Sequence, residues 1–597
     1  MPREEVYSPL PPWPRTDYCG VIRASDQGRE VALWGWVDAR RDHGSLIFVD
    51  LRDRTGIIQL VFNPERNAAA HEVAKSVRSE FYLAVKGAII RRGDSTVNAE
   101  LPTGEIEVMV SQIEIMNVSQ PPPFAVSDGA GTAEEVRLKY RYLDLRRPEM
   151  QRNLRRRHQA LRAVRDYLDA HDFVEIETPI LFKATPEGAR DYLVPSRISP
   201  GKFYALPQSP QLLKQTLMVA GFDRYYQIAR CFRDEDLRAN RQPEFTQIDI
   251  EMTGARPADI IALTEGMYAA AFDRVLGVKL ELPFVQMPYE EAMERFGSDK
   301  PDTRFDLELK NLSGAFSGTS FKIFSEVLSR GESIYGIRVP ADWQLTRREL
   351  DETAESMRTR QGMGLAWVKS GQAEWQGPIG KHVEEPIRSK VEAATDLSPG
   401  DTLLLMAGRR DQVRPLLGDL RLSLGEKFGL ARPNDLNFVW VLDFPLFEYS
   451  EQDKRWYSKH HPFTAPRPED LLTLEKEPLA ARALAYDVVL NGQEMGGGSI
   501  RIHNRELQLK VLEILRFSRE EAMERFGFLL DALTFGAPPH GGIACGVDRL
   551  AMMLCGTDSL RDVTAFPKTQ KAVDPMSGAP SEVPASQLRE LSIKIVT

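Results

Sequence analysis

The 597-residue chain carries 77 basic and 86 acidic residues, a net charge of −9, with 42% hydrophobic and 27% charged residues. That length is too great for one hydrophobic core and points to three to five domains. No run of 18 apolar residues is present, so no helical membrane span is expected, and the acidic balance argues against a protein that coats nucleic acid nonspecifically.

The opening residues, Met1 to Pro14, are charged and then proline-rich, without the apolar run of a signal peptide. Cys19, Cys231, Cys545 and Cys555 form no Cys-x-x-Cys pair, so neither a disulfide framework nor a zinc site is indicated. A cytoplasmic location fits that usage. After a tail at 1–16, Val31–Val37, Leu46–Leu51, Gly56–Phe62 and Phe81–Ile90 are rich in β-branched and aromatic residues, with turn signals between them. About five such strands over 17–119 predict a small barrel, and the usual small barrel that holds nucleic acid is the OB-fold. Pro121-Pro122-Pro123 and the small-residue stretch Ser127 to Thr132 mark a hinge over 120–150. The arginines between Arg137 and Arg165, including Arg155, Arg156 and Arg157, are either a basic surface or a solvated helix face.

Leu154, Leu161, Val164 and Leu168 then recur at helical spacing, and Phe173 to Pro179 reads as extended. Residues 151–304 form the first part of a core domain. Residues 305–431 mix helical and strand patterns without a dense cluster of functional polar residues, which reads as an inserted α+β domain. The core resumes over 432–567, and 568–597 is a C-terminal extension.

Chemistry-bearing residues concentrate in that core. Gln227 to Phe232 reads as a strand running into Arg233-Asp234-Glu235. After a polar loop, Phe245, Gln247, Asp249 and Glu251 alternate with Thr246, Ile248, Ile250 and Met252. This is a hairpin with one polar and one apolar face; alone, it is also what a surface hairpin with scattered ion pairs looks like. Ser209-Pro210 is a helix start signal, after which Gln211, Lys214 and Met218 share a face. The triple glycine Gly496-Gly497-Gly498 implies close approach of a ligand or another backbone. Ser499, Arg501 and His503 follow on one strand face. Asp487 and Glu494 are a carboxylate pair of the kind Mg²⁺ takes beside phosphates. Gly546-Val547-Asp548-Arg549 opens an apolar helix, where a nucleotide can approach.

Taken together, these motifs resemble the class II aminoacyl-tRNA synthetases. The helix ending at Pro179 looks like motif 1, Arg233-Asp234-Glu235 through Phe245 like motif 2, and Gly546-Val547-Asp548-Arg549 like motif 3. Arg141-Tyr142-Leu143-Asp144-Leu145 and an N-terminal OB-fold are shared by the aspartate, asparagine and lysine enzymes. Thr185-Pro186-Glu187-Gly188-Ala189-Arg190-Asp191-Tyr192, Gln208 to Lys214, His460-His461-Pro462-Phe463-Thr464 and the large insert resemble the bacterial-type aspartyl-tRNA synthetases. The fold implied is α+β and multidomain: an OB-fold barrel, an antiparallel-sheet class II core and an inserted α+β domain.

The resemblance implies activation of aspartate by ATP with Mg²⁺, transfer to tRNA-Asp, and a homodimer. By it, Arg233, Glu235 and Arg549 are catalytic, and ATP is held by these with Asp234, Gln242, Phe245, Glu494, Gly546, Val547 and Asp548. Arg233 would hold the α-phosphate, and Phe245 would stack on adenine with Arg549 on the other side. Glu187, Ser209, Gln211, Lys214, Arg233, Asp249, His460, His461 and Arg501 would surround aspartate, with Arg501 and Lys214 on its side-chain carboxylate. Asp487 and Glu494 would bind the metal. Arg41, His43, Phe48 and Gln59 would touch the anticodon. His43, frequent in relatives of relaxed specificity, leans toward tRNA-Asn as a second acceptor. An asparaginyl-tRNA synthetase and a noncatalytic RNA-binding relative are the alternatives. Against them stand the paired cations Arg501 and Lys214, and the complete set Arg233, Glu494 and Arg549.

Overall fold

The computed structural model describes residues 10–11, 13–127, 131–185, 189–235, 241–361, 363–372, 374–432 and 435–596. The chain divides into two compact units. One comprises Met1–Gln159, Asp236–Pro243 and Ala551–Leu588; the other comprises Ala160–Glu235, Glu244–Leu550 and Arg589–Thr597.

In the first unit, β1 (Glu30–Asp42), β2 (Ile47–Asp53), β3 (Gly56–Phe62), β4 (Tyr82–Arg91) and β5 (Ile106–Asn117) close a barrel in the order β1-β2-β3-β5-β4. Only β3 and β5 pair in parallel. β1 runs five residues beyond the stretch expected from sequence. A bulge between Val37 and Ala39 lets it keep pairing with β2. Val31, Leu33, Val49, Leu51, Ile58, Leu60, Leu83, Val85 and Val108 fill the interior. A helix, α1 (Ala68–Ser76), capped by the Asn67 side chain on Ala70 N–H, packs on that core and has no counterpart in the strand-only reading.

The arginine-rich stretch divides: Arg152, Arg155 and Arg162 are exposed, whereas Arg141, Arg156 and Arg157 turn to backbone carbonyls. Arg141 donates to the carbonyls of Ala565 and Thr564 at 2.9 and 2.8 Å. Arg156 and Arg157 donate to the carbonyls of Leu554 and Val563 at 3.2 and 3.3 Å. These guanidiniums satisfy carbonyls of the C-terminal segment. The helix that carries Arg156, α2 (Pro148–Asp169), buries Val164 and Leu168, whereas Leu154 and Leu161 are half-buried.

The second unit is built on an eight-stranded sheet. Its strands in chain order are β6 (Val174–Glu175), β7 (Arg224–Phe232), β8 (Glu244–Thr253), β9 (Val285–Pro288), β10 (Phe438–Leu442), β11 (Ala485–Leu490), β12 (Gln493–Ile500) and β13 (His540–Gly546). Spatially they run β9-β10-β11-β12-β13-β8-β7-β6. The six central strands are antiparallel, as expected, while each edge strand pairs in parallel with its neighbour. Helix α3 (Gln211–Val219) lies against β7 and β8.

Between β9 and β10 the chain leaves this sheet for a five-stranded antiparallel sheet with its own core. Tyr335, Ile337, Leu404 and Met406 face the helix Arg410–Lys427 on one side, and Ile334, Val368, Leu403 and Leu405 face Phe324, Ile387 and Val391 on the other. Because both faces are covered, its strands read as continuous apolar runs.

Candidate active site

β8 presents Phe245, Gln247, Asp249 and Glu251 on one face, roughly 20 Å from end to end. Its register sets Gln247 opposite Gly546, Asp249 opposite Ala544 and Glu251 opposite Gly542 on β13. β13 in turn sets Ala544 opposite Gly497 and Gly542 opposite Ser499 on β12, and Gly497 lies opposite Asp487 on β11. Residues paired in this way point to the same face. Between Asp249 and Asp487 the floor therefore carries only the methyl of Ala544 and the hydrogen of Gly497, across three strand spacings or roughly 14 Å. The result is a trough with charged walls.

The glycines are required by this floor. A Cβ on Gly542 would stand 2.0 Å from the Ile250 carbonyl oxygen and 2.2 Å from Glu251 Oε2. One on Gly497 would stand 2.5 Å from Asp487 Oδ1, and one on Gly498 2.1 Å from the Gly542 carbonyl. The close approach expected from three successive glycines is thus a neighbouring backbone and a carboxylate.

At the Glu251 end four ionised side chains are enclosed. Lys214, Asp249, Glu251 and Arg501 are 1%, 1%, 0% and 2% exposed. Arg501 lays its Nε and Nη2 on Glu251 at 3.0 and 3.2 Å. Lys214 Nζ is 2.6 Å from Asp249 Oδ1 and 3.2 Å from Glu251 Oε2. Two anions cancel two cations, so burial costs far less than for an isolated charge. Burial pushes both carboxyls toward the neutral form. At Asp249 it prevails over Lys214, whereas at Glu251 the Arg501 and Lys214 charges prevail and hold the carboxyl below its usual range. The polar residues of α3, Gln211, Lys214 and Gln215, are turned into the protein and not outward as in a plain amphipathic helix.

Arg501 Nη1 meets Ser499 Oγ at 2.7 Å and His461 Nε2 at 2.6 Å. A guanidinium only donates, so His461 Nε2 is the acceptor. Burial, together with Arg501, His460 and Lys214, holds His461 well below the usual histidine range and keeps the ring neutral. The second histidine, His460, places Nε2 3.1 Å from Asp487 Oδ1.

At the opposite end the Arg233 guanidinium lies 5.0 Å from the centre of the Phe245 ring. β7 stops at Phe232, so Arg233, Asp234 and Glu235 stand just beyond the strand on which sequence placed them. Asp234 is bridged to Arg190 through its backbone N–H, which donates to the Arg190 carbonyl at 3.0 Å. Helix α4 (Val547–Cys555) begins directly after Gly546. Its Asp548 accepts from the Thr246 backbone N–H at 3.1 Å, which ties the helix start to β8. Arg549 Nη1 donates to the Glu494 carbonyl at 2.6 Å.

A bulge opposite Val488 and Val489 sets Glu494, rather than Met495, on the Asp487 face. Burial raises Asp487 against the pull of His460. No group of three or more metal-ligating side chains occurs among the described residues. Two carboxylates on a face with space between them fit an ion that takes its remaining oxygens from phosphates and water.

Several expected residues have other engagements. Gln242 is buried and exchanges two hydrogen bonds with the Lys568 backbone at 2.8 and 3.2 Å. Val547 is buried. Ser209 Oγ accepts from Gln211 N–H at 3.3 Å at the start of α3, and Gln211 Nε2 meets no hydrogen-bond partner among the described residues. His503, expected beside Ser499 and Arg501, is exposed. Glu187 lies outside the described residues. Glu251 was read only as a member of the polar face. Its two-residue spacing from Asp249 was the available signal, but nothing local showed that it meets Arg501, 250 positions away.

In the barrel unit, Arg41, Phe48 and Gln59 share one open face with Asp50. Arg41 forks onto Asp50 with two contacts of 2.8 Å and reaches Gln59 Oε1 at 3.1 Å. Gln59 donates to Glu107 at 2.7 Å. The His43 and Phe48 rings meet edge-on, 5.6 Å between centres. Asp50 and Glu107 were not among the expected residues, yet they orient two that were.

The family model for class II tRNA synthetases (D, K and N) matches residues 133–570, and that for the OB-fold nucleic acid binding domain matches 31–116. The chain belongs to the class II tRNA synthetases. Within them it falls in the bacterial-type aspartate–tRNA ligase branch. The aspartate–tRNA(Asp/Asn) ligase of Caldanaerobacter subterraneus subsp. tengcongensis is 54% identical over 581 residues, covering 97% of this synthetase and 98% of that protein. That of Oleidesulfovibrio alaskensis is 52% identical over 583 residues, covering 98% and 96%. The fold is shared with the asparaginyl-tRNA synthetase of Pyrococcus horikoshii (TM-score 0.58, 19% identity, 93% and 98% covered) and the aspartyl-tRNA synthetase of Entamoeba histolytica (0.57, 17%, 93% and 91%). No helix among the described residues is long and apolar enough to cross a membrane.

Proposed function

We propose that this ligase activates L-aspartate with ATP to aspartyl-adenylate and transfers it to the terminal ribose of tRNA-Asp and, through relaxed anticodon reading, tRNA-Asn. The observation that carries the reading is the enclosed set Lys214, Asp249, Glu251 and Arg501. It places two cations, Lys214 and Arg501, beside the trough, with the Arg501 guanidinium oriented by Glu251. Each such contact is worth roughly 4 kcal/mol gross at 4 Å and an effective dielectric of 20. Asparagine brings no charge, and sites built on a specific polar partner reject the wrong ligand by roughly 10⁴-fold or more.

Asp249, Gln211 and, by resemblance, Glu187 receive the α-ammonium group; Ser209 and the two histidines complete the wall. The substrate α-carboxylate attacks the α-phosphorus, Arg233 stabilises the developing charge, and pyrophosphate leaves. Phe245 and Arg549 clasp the adenine, and Glu235 and Asp234 border that end. Gly546, Val547 and Asp548 hold the motif 3 helix start. Asp487 and Glu494 would hold Mg²⁺, which supplies Lewis-acid stabilisation of the phosphates. No side-chain nucleophile is needed. In the barrel, Phe48 stacks on an unpaired anticodon base while Arg41, Gln59 and His43 read its edges. The enzyme works as a homodimer, a reading supported by the exposed apolar residues Val174 in the motif 1 segment and Ile180 and Leu181 directly after it.

Aspartate-dependent ATP–pyrophosphate exchange without tRNA, with asparagine in parallel, tests the pocket. Exchange with aspartate alone is expected; exchange with asparagine would refute the cationic subsite. Charging of both purified tRNAs tests the relaxed specificity, and no product with tRNA-Asn would restrict the reading to tRNA-Asp.

A further inference from the structure

The turn after the helix Tyr289–Phe296 brings a cation to the carboxylate pair from outside the strands that carry it. Gly297 ends the helix in the left-handed conformation, φ +68°. The residues that follow are tied down along their length. Ser298 Oγ accepts from Lys300 N–H at 3.0 Å, and Arg304 closes on both oxygens of Asp302 at 2.9 and 2.6 Å. Asn437 donates to the Thr303 carbonyl at 3.1 Å. Asp302 is packed against Gly492 in the β11–β12 turn, where a Cβ would stand 3.2 Å from its own Cβ. The loop thus fixes the root of Lys300 and leaves its flexible stem to reach.

Lys300 Nζ lies 2.9 Å from Glu494 Oε2. The residue before it, Asp299, lies 3.8 Å from Lys459. Each acid of this corner thereby has a nitrogen partner: the His460 ring on Asp487, Lys459 on Asp299, and Lys300 on Glu494, with Arg549 Nη1 4.0 Å from the same Glu494 oxygen. The Lys300–Glu494 pair differs from the four charges at the Glu251 end in being open to water, with side chains 41% and 31% exposed. Open pairs of this kind are weak, so a divalent ion that takes Glu494 as a ligand displaces the ammonium at little cost. The lysine would then stand, on a fixed loop, where an ion held by Glu494 would also draw phosphate oxygens. An ammonium on a flexible stem is suited to phosphate as a point charge.

We propose that Lys300 is a resident counter-cation of the metal carboxylates, neutralising Glu494 before nucleotide arrives and passing to the polyphosphate once a divalent ion takes Glu494. The inference rests on the reading of Asp487 and Glu494 as the metal pair. Its ligand class is a nucleoside triphosphate or pyrophosphate.

The test uses the full-length protein with Lys300→Met, Lys300→Arg and Glu494→Gln. Mn²⁺ is titrated without nucleotide and the free ion is read by electron paramagnetic resonance; KM for ATP and for aspartate comes from pyrophosphate exchange. Lys300→Met should bind Mn²⁺ about fivefold more tightly, equivalent to ~1 kcal/mol, because its competitor is gone. Its KM for ATP should rise about tenfold, the effect of losing one charge-assisted phosphate contact. KM for aspartate should stay within about twofold. Lys300→Arg should return both altered values toward wild type. Mn²⁺ affinity no higher in Lys300→Met than in wild type, or an unaltered KM for ATP, overturns the proposal. Glu494→Gln separates the two failures: if it leaves Mn²⁺ binding unaltered, the metal reading itself is wrong and the role of Lys300 falls with it.

Discussion

On β2 of the barrel, Phe48 and Asp50 alternate with the buried Ile47, Val49 and Leu51; on β8 of the large sheet, Phe245, Gln247, Asp249 and Glu251 alternate with the buried Ile248 and Ile250. The two patterns are alike, and their environments are opposite. The barrel face is left to solvent: Arg41 is exposed, and its contacts to Asp50 and Gln59 are open pairs worth about 0–1 kcal/mol each. The β8 face is roofed at its Glu251 end by α3, and removing one partner of a buried pair there costs about 3–5 kcal/mol. An open ladder can exchange its partners for the edges of an RNA base. An enclosed one fixes a geometry and rejects a ligand of the wrong charge. In the proposed reading one pleated motif serves both tasks, and the covering helix makes the difference.

The largest break in that comparison should come from Arg501→Met, which leaves Glu251 enclosed with only Lys214. We expect kcat/KM for aspartate in pyrophosphate exchange to fall by about 10²–10³, the equivalent of ~3–4 kcal/mol. A loss below tenfold would mean that Arg501 does not hold the substrate carboxylate. Next comes Gly542→Ala, whose methyl would meet Glu251 and the Ile250 carbonyl at 2.2 and 2.0 Å. Overpacking of this kind costs about 1–3 kcal/mol. A urea midpoint and aspartate KM equal to wild type would show that the floor tolerates a side chain.

On the open face, Phe48→Ala should raise KM for tRNA by an amount equal to about 1–3 kcal/mol of stacking while leaving tRNA-independent exchange unchanged. An equal fall in both activities would assign Phe48 to the barrel core. The smallest effect sharpens the contrast in pH dependence. The His461 pKa is lowered in the fold, so below the ordinary histidine value of about 6.5 the unfolded chain takes up a proton that the native ring refuses. Stability from this group is complete above that value and falls by about 1.4 kcal/mol per pH unit below it, until the lowered native pKa is reached. His461→Asn should flatten the fall of the urea midpoint between about pH 7.5 and about pH 5.5. Parallel slopes in the two proteins would show that His461 titrates normally.

The alternation of β8, the strand Gly56–Phe62 and the glycine run were all legible, because pleat and backbone chirality act over a few residues. Legibility stopped where a side chain's partner was distant. Asp548 and Gln242 read as nucleotide ligands, and both are engaged by backbone groups, at Thr246 and Lys568. His503 shared a predicted face with Arg501 and is exposed, because β12 ends at Ile500. Glu494 reaches the Asp487 face through a bulge, which a strict period of two does not anticipate.

The sequence by itself determined the family, the order of its motifs, the barrel and the two faces of β8. These follow from local periodicity and from motif spacing. Only the tertiary structure decided that the polar face of β8 is an interior one, that Glu251 rather than solvent orients Arg501, and that Lys300 reaches Glu494. Burial and ion pairing depend on which distant segment covers a face, and a strand's own alternation carries no information about its cover.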